Sequence, residues 1–291
     1  MCTQKANYAD SIKIGCIGDS ITAGVSLSRA SCAALTRSSE LTRSLPSLAP
    51  PTLSPHTPQV HSSGGIHPYP QQLGLLLDAK YGNSTYEVTN LGACGSTMLK
   101  IPNSPYWERP QFQTLSAGKW DIVTIMLGTN DAKDPGDSGP NNWLHNCGGV
   151  DHTSLMNCSF ASDYHDMIAH VMTLGTTPGV APKIYTMVPP PLMQDKSIGA
   201  NQTVINNVYS NLVPLIENAN KPEVLSSIDI FHGMGGEANW ATDPAWPKSC
   251  VLNSPWKPCA WWCDAQSCDQ CHPNDNGYTH LAIVLQAALG L

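Results

Sequence analysis

The feature that most constrains this chain is an alternation of short apolar runs with longer helix-like stretches. Ile12-Lys-Ile-Gly-Cys-Ile-Gly18 reads as a buried parallel strand, because it is short, apolar and β-branched and stops at Gly18-Asp19-Ser20. Comparable runs occupy residues 86–90, 121–127, 183–188 and 224–230, and helix-like segments fill 70–81, 162–174, 201–219 and 276–289. That order predicts one α/β domain over residues 1–291, a three-layer α/β/α sandwich around a central parallel sheet of about five strands. Sheets of this kind carry their sites just beyond the carboxyl ends of the strands.

Composition narrows the partners. With 41% hydrophobic residues the chain can bury a large core, and its net charge of −7 comes from 22 acidic against 15 basic residues with no Lys/Arg-rich run. A nucleic-acid partner is therefore not expected, and a small or neutral ligand is. No stretch approaches the roughly 20 apolar residues of a membrane span, and residues 1–10 lack the apolar core of a signal peptide. Eleven cysteines nevertheless point to an oxidising compartment, and five of them (Cys250, Cys259, Cys263, Cys268, Cys271) crowd into the C-terminal quarter. Glycosylation sequons begin at Asn83, Asn157 and Asn201. The expectation is a secreted monomer whose true N-terminus lies upstream of Met1.

Four segments at predicted strand ends carry chemistry. Gly18-Asp19-Ser20 follows the first strand, which sets Ser20 on a strand-to-helix turn, although Gly-Asp-Ser is also an ordinary N-cap sequence. After the second strand comes Asn90-Leu-Gly-Ala-Cys-Gly95-Ser-Thr, where a glycine lets the backbone turn an N–H outward. The third leads into Gly128-Thr-Asn130-Asp131, and near the C-terminus Asp269-Gln-Cys-His272-Pro-Asn sets a carboxylate and an imidazole on one loop. A serine hydroxyl attacks an ester only when a base takes its proton, and a neutral histidine oriented by a carboxylate does this near pH 7.

In this order the four blocks resemble those of the SGNH (GDSL-like) hydrolases, over about residues 13–289 apart from one insert. The resemblance implies a flavodoxin-like fold with Ser20 as nucleophile and Asp269 and His272 as acid and base. It also implies an oxyanion hole made by the Ser20 N–H, the Gly95 N–H and the Asn130 side chain. No cofactor and no metal are required. Gly-Thr-Asn-Asp-Ala is similar to the form seen in carbohydrate acetylesterases, so the implied activity is removal of small acyl groups, acetyl first, from a glycan or other small ester. Two alternatives stay open: a lipase or lysophospholipase of the same family, and a catalytically inactive carbohydrate-binding protein.

Other residues admit competing readings. Cys268-Asp-Gln-Cys271, with Cys259, Cys263 and His272, can be read as a zinc site, a redox pair or disulfides that staple the catalytic loop, and the last is preferred. Cys147 and Cys158 bracket one Gly- and Asn-rich loop and suit a disulfide, whereas Cys16 and Cys94 read as small apolar residues. His67, His165, His170, His232 and His280 have no partnered motif. Trp240, Trp246, Trp256, Trp261 and Trp262 are either core residues or platforms for sugar rings, and Pro189 to Pro191 offer a rigid wall beside the site.

One segment breaks the alternation. Residues 25–59 are rich in Ser, Pro, Thr and Leu and show no periodicity, as in a disordered insert. Every valine codon begins with GT and Gln59 can be encoded by CAG, the two ends of an unspliced intron, so joining Gly24 to Val60 would restore one continuous loop. A retained intron and a genuine surface insertion both fit, since long loops are tolerated thermodynamically. Peptide mass spectrometry of the natural protein separates them: a retained intron predicts no peptides from within 25–59, and their recovery would establish the insertion.

Overall fold

The computed structural model describes residues 11–24, 67–101, 104–133, 143–149, 155–236, 261–262 and 269–291. The 25–59 segment, Trp240, Trp246, Trp256 and the cysteines Cys250, Cys259, Cys263 and Cys268 lie outside them.

Five parallel strands form one sheet: β1 (Ile12–Gly18), β2 (Tyr86–Gly92), β3 (Ile122–Met126), β4 (Lys183–Val188) and β5 (Val224–Asp229), in the spatial order β2-β1-β3-β4-β5. This is the doubly wound arrangement expected from the alternation, with the topological switch between β1 and β3. Burial follows position in the sheet. Central β3 is buried at every residue, while edge strands β2 and β5 are only partly buried, with Glu87, Asn90, Leu225 and Asp229 exposed.

Thirteen-residue α2 (Tyr69–Tyr81) and the last helix, α8 (Asp275–Leu289), pack on each other, and α2 also covers β2. Helices α5 (Ser159–Met172) and α6 (Tyr209–Ala219) pack together and lie against β4, with α6 also covering β5. Short α1 (Ser20–Ala23), α3 (Pro110–Ala117), α4 (Trp143–Cys147) and α7 (Ile230–Gly233) complete the described α-helices. The elements α3, α4 and α7 were not legible as helices, because runs of four to eight residues hold too little periodicity to read. The single helix expected at 201–219 starts with a π turn, Val204–Val208, before α6. Buried Asn206 lies in this turn. Its side chain accepts from Leu192 N–H at 2.8 Å and donates to Leu192 O at 3.1 Å, tying the helix start to the loop after β4.

The strand ends close tightly around α1. A Cβ at Gly92, the last residue of β2, would sit 2.2 Å from the Ala23 backbone nitrogen, and one at Gly18 would sit 1.9 Å from Thr22 Oγ1. Only glycine permits that approach, and it sets the first turn of α1 against the ends of β1 and β2. Replacing Gly92 with Ala should therefore destabilise the fold by about 1–3 kcal/mol, the usual cost of overpacking, measurable by urea denaturation. An unchanged midpoint would mean that α1 can move away freely.

Candidate active site

Ser20 is the first residue of α1, directly beyond β1, and is 3% exposed. Asp19 caps this turn: its Oδ1 accepts the Ile21 N–H at 2.9 Å, leaving its other carboxylate oxygen buried without a hydrogen bond among the described residues. Burial raises the Asp19 pKa, against the opposing bond from Ile21 and the charge of His272. As the start of a helix, Ser20 has a backbone N–H that no helical carbonyl can satisfy.

The loop beyond β2 crosses beside it. Ala93 N–H donates to Gly18 O at 2.8 Å, which locks this loop to the end of β1. Gly95 follows with φ of +75°, a left-handed conformation that suits glycine, and its N–H makes no backbone hydrogen bond among the described residues. Beyond β3, Tyr209 Oη donates to Gly128 O at 2.7 Å and steers the chain into Thr129, Asn130 and Asp131. Asn130 is 3% exposed, and its Nδ2 donates one hydrogen to Ser96 O at 3.1 Å. The amide is thereby oriented with its second hydrogen still available, since a side-chain NH₂ has two.

The C-terminal loop completes the set. Asp269 Oδ1 accepts the N–H groups of Cys271 and His272 at 2.9 and 2.8 Å, forming a tight Asx-type turn. That turn folds the imidazole back on the carboxylate, with both carboxylate oxygens 2.8 Å from His272 Nδ1. His272 Nε2 lies 2.7 Å from Ser20 Oγ, although the two residues are 252 positions apart in sequence. Burial opposes ionisation of Asp269, but the hydrogen bonds and charge of His272 outweigh it and lower the Asp269 pKa. With Asp269 ionised, the favoured tautomer has Nδ1–H donating to the carboxylate and a bare Nε2 facing the serine hydroxyl. Asn274 then caps α8 by accepting the Gly277 N–H at 3.0 Å.

The structure thus brings Ser20, Asp269 and His272 into one hydrogen-bonded chain and sets the Gly95 and Asn130 loops in mutual contact. Asp131, Asn274 and Tyr209 went unread in the sequence. Of these, Asp131 and Asn274 lie inside blocks read for chemistry, where they read as an ordinary loop acid and amide.

Several readings of the surroundings can be resolved. Cys147 and Cys158 are joined by a disulfide, as their bracketing of one loop predicted. Cys94, half-buried, is also disulfide-bonded, which corrects its reading as a small apolar residue. Cys16 is free and buried, and burial pushes its thiol up to about 12, so it is inert. Cys271 is free and buried as well, so the stapling expected of the catalytic loop does not use this cysteine. Among the described residues, Asp269, Cys271 and His272 are the one group whose ligand atoms cluster closely enough for a metal, and they belong to the hydrogen-bonded chain itself. Trp262 is buried, and Trp261 stacks on His280 with ring centroids 3.8 Å apart. The segment after Pro191 meets the catalytic loop where Met193 N–H donates to Gln270 O at 3.0 Å. No helix among the described residues is long and apolar enough to cross a membrane.

A parallel 2-1-3-4-5 sheet with a serine at the first strand end and an Asp-x-x-His loop before the last helix defines a doubly wound α/β protein whose candidate site lies at the carboxyl edge of the sheet. Residues 16–280 match the model of the GDSL-like lipase/acylhydrolase family, and the chain belongs to that family. Among curated proteins it is similar to an acetylxylan esterase from Xylanibacter ruminicola, 25% identical over 235 residues that cover 76% of this chain. The chain spans 38% of the length of that relative. Among solved structures it resembles a catalytic mutant of an acetylxylan esterase from Geobacillus stearothermophilus, with a TM-score of 0.55 at 18% identity, covering 97% of this chain and 96% of that one. A carbohydrate acetylesterase from Sinorhizobium meliloti aligns with a TM-score of 0.50 at 19% identity over 97% of this chain and all of that one (100%). These likenesses confirm the fold.

Gly95 offers a clean test of the loop geometry. A Cβ there would meet nothing within 4 Å, so Gly95→Ala adds no clash and carries only the left-handed backbone cost of about 1–2 kcal/mol. The expected outcome is a modest loss of stability together with a fall in kcat as the N–H is re-aimed. Unaltered turnover would remove Gly95 from the site.

Proposed function

We propose that the chain is a serine acetylesterase that removes acetyl groups from a carbohydrate through an acyl-enzyme, with Ser20 as nucleophile, His272 as general acid and base, and Asp269 as the orienting carboxylate. The observation that carries this reading is the chain Ser20 Oγ to His272 Nε2 at 2.7 Å and His272 Nδ1 to Asp269 at 2.8 Å.

Ser20 Oγ attacks the ester carbonyl carbon as its proton passes to His272 Nε2. Asp269 stabilises the imidazolium and does not take the proton itself. The tetrahedral oxyanion receives hydrogen bonds from the Ser20 N–H, the Gly95 N–H and Asn130 Nδ2, each fixed donor contributing about 3–4 kcal/mol to transition-state stabilisation. Collapse breaks the bond to the alcohol, which leaves with the proton from His272. Water then attacks the acyl-enzyme by the same route in reverse, releasing acetate and restoring Ser20. All five residues come from one chain, which supports action as a monomer. The Cys147–Cys158 disulfide supports secretion into an oxidising compartment. The acetyl preference draws on the curated acetylxylan esterase relative and the acetylesterases of like fold.

Ser20→Ala should abolish hydrolysis of p-nitrophenyl acetate while the circular dichroism spectrum stays unchanged, and an unchanged rate would refute the nucleophile. Asp269→Asn should lower kcat by about 10⁴-fold through the wrong histidine tautomer. The acetate ester should be hydrolysed faster than the octanoate or palmitate esters, and acetylated xylan fragments should release acetate. A preference for palmitate would overturn the carbohydrate reading in favour of a lipase.

A further inference from the structure

Asp131 follows Asn130 and is fully buried, yet its carboxylate is spent on a different loop. Oδ2 accepts the Met98 N–H at 3.0 Å and Oδ1 accepts the Leu99 N–H at 2.9 Å. Two bonds to successive backbone nitrogens fix both the position and the tilt of that peptide, as a single bond would not. The same loop carries Gly95, and its Ser96 carbonyl is what the Asn130 amide grips at 3.1 Å. Thr97 Oγ1 closes the turn on Leu99 O at 3.0 Å, and Trp107 Nε1 donates to Met98 O at 2.8 Å. Residues 96–99 are all buried, so if Asp131 let go, the Met98 and Leu99 N–H groups would lose partners that water could replace only by entering the core.

We propose that Asp131 is the positioning residue of the oxyanion hole, its ionised carboxylate latching the loop after β2 to the loop after β3 so that the Gly95 N–H and Asn130 Nδ2 converge on one point. It acts through those two donors and touches no substrate. The inference rests on the assignment of Gly95 and Asn130 given above, and it extends that assignment to the neighbouring acid of the same block, to which the resemblance gave no role.

The latch depends on protonation. A carboxylate accepts at both oxygens, whereas a carboxylic acid presents an O–H at one of them and can no longer take both N–H groups. Burial pushes the Asp131 pKa up to about 7; the Leu99 and Met98 N–H bonds oppose the rise, and the charge of Asp19 adds to it. The groups facing it are few. Asp19 comes from the β1–α1 turn, and Tyr209 from α6, its phenol held neutral by burial. Lys133 and His272 act on Asp19, whose charge Asp131 feels in turn. Lys100, next along the latched loop, is paired with Asp163 and Asp166 on α5. The latch therefore holds above about pH 7 and loosens below it.

The test is kcat and KM for p-nitrophenyl acetate from about pH 5 to 9 on the full chain, comparing wild type, Asp131→Asn and Ser20→Ala. Asn keeps the size but offers one acceptor and turns an NH₂ toward a backbone N–H. Asp131→Asn should lower kcat about 10²-fold at pH 8 with KM within about 3-fold, and should lose an ionisation near pH 7 that shapes the wild-type kcat profile. Wild-type kcat in the variant, an unaltered profile or a change confined to KM would overturn the proposal. Carbon-13 carboxyl NMR of the aspartate-labelled wild type decides the matter even if the variant fails to fold. Asp131 should titrate near pH 7 with the Met98 and Leu99 amide signals moving in step, and amides indifferent to that titration would overturn it. Activity surviving in Ser20→Ala would strike the underlying reading instead, whereas a dead Ser20→Ala beside a normal Asp131→Asn would strike this inference alone.

Discussion

Where a parallel sheet ends, the ladder stops pairing backbone N–H groups, and in a buried edge each of those groups needs another acceptor. Short polar side chains at the carboxyl edge meet that need. Asp19 takes the Ile21 N–H, Asn90 takes that of Gly92, Asp131 takes those of Met98 and Leu99, Asp269 takes those of Cys271 and His272, and Asn274 takes that of Gly277. Every loop that brings a residue to the site is shaped by one of these bonds. Ser20, Asn130 and His272 stand on loops held by these bonds, and the N–H of Gly95, at φ +75°, makes no backbone hydrogen bond among the described residues.

The same edge explains why Ser20 and His272 meet. Ser20 is held by tight packing: Gly18 and Gly92 let the first turn of α1 sit against the ends of β1 and β2 with no intervening side chain. His272 is held by a local turn, since the Asp-x-x-His spacing lets one carboxylate cap two backbone N–H groups and still reach Nδ1. Neither device needs the other to form. The sheet topology brings the two within 2.7 Å, since β1 is an interior strand and α8, which follows the histidine loop, packs on α2 alongside it.

Much of this was legible in the amino-acid order. The buried strands β1 and β4 were placed to the residue because a continuous apolar run between turn signals has one reading at that length. The motif residues could be read because each breaks the local pattern: a serine after a strand, a glycine in a loop, an amide at a strand end. What stayed hidden was second-order. Asp131 adjoins Asn130 and reads as an ordinary loop acid, and only the folded chain shows that its partners lie some thirty residues back, at Met98 and Leu99. The Cys94 bond was missed for the same reason, since cysteine pairing depends on approach in space and leaves no periodicity in sequence.

Asp131 also shows a tension between stability and function. A carboxyl whose folded pKa stands near 7, above the ordinary aspartate value of 3.8, binds its proton more tightly in the folded chain than in the unfolded one. Between those two pH values the folded state carries more protons, so this group makes the protein less stable as pH rises. The latch works in the opposite sense, since it needs the ionised form with both oxygens accepting. At the pH where a neutral histidine can serve as a base, the chain holds a buried negative charge that acts against its own stability. A neutral residue of similar shape would remove that charge and would leave one of the two N–H groups unmet. The retention of the charge is therefore explained by the two bonds it makes, and through them by the placement of Gly95 and Asn130.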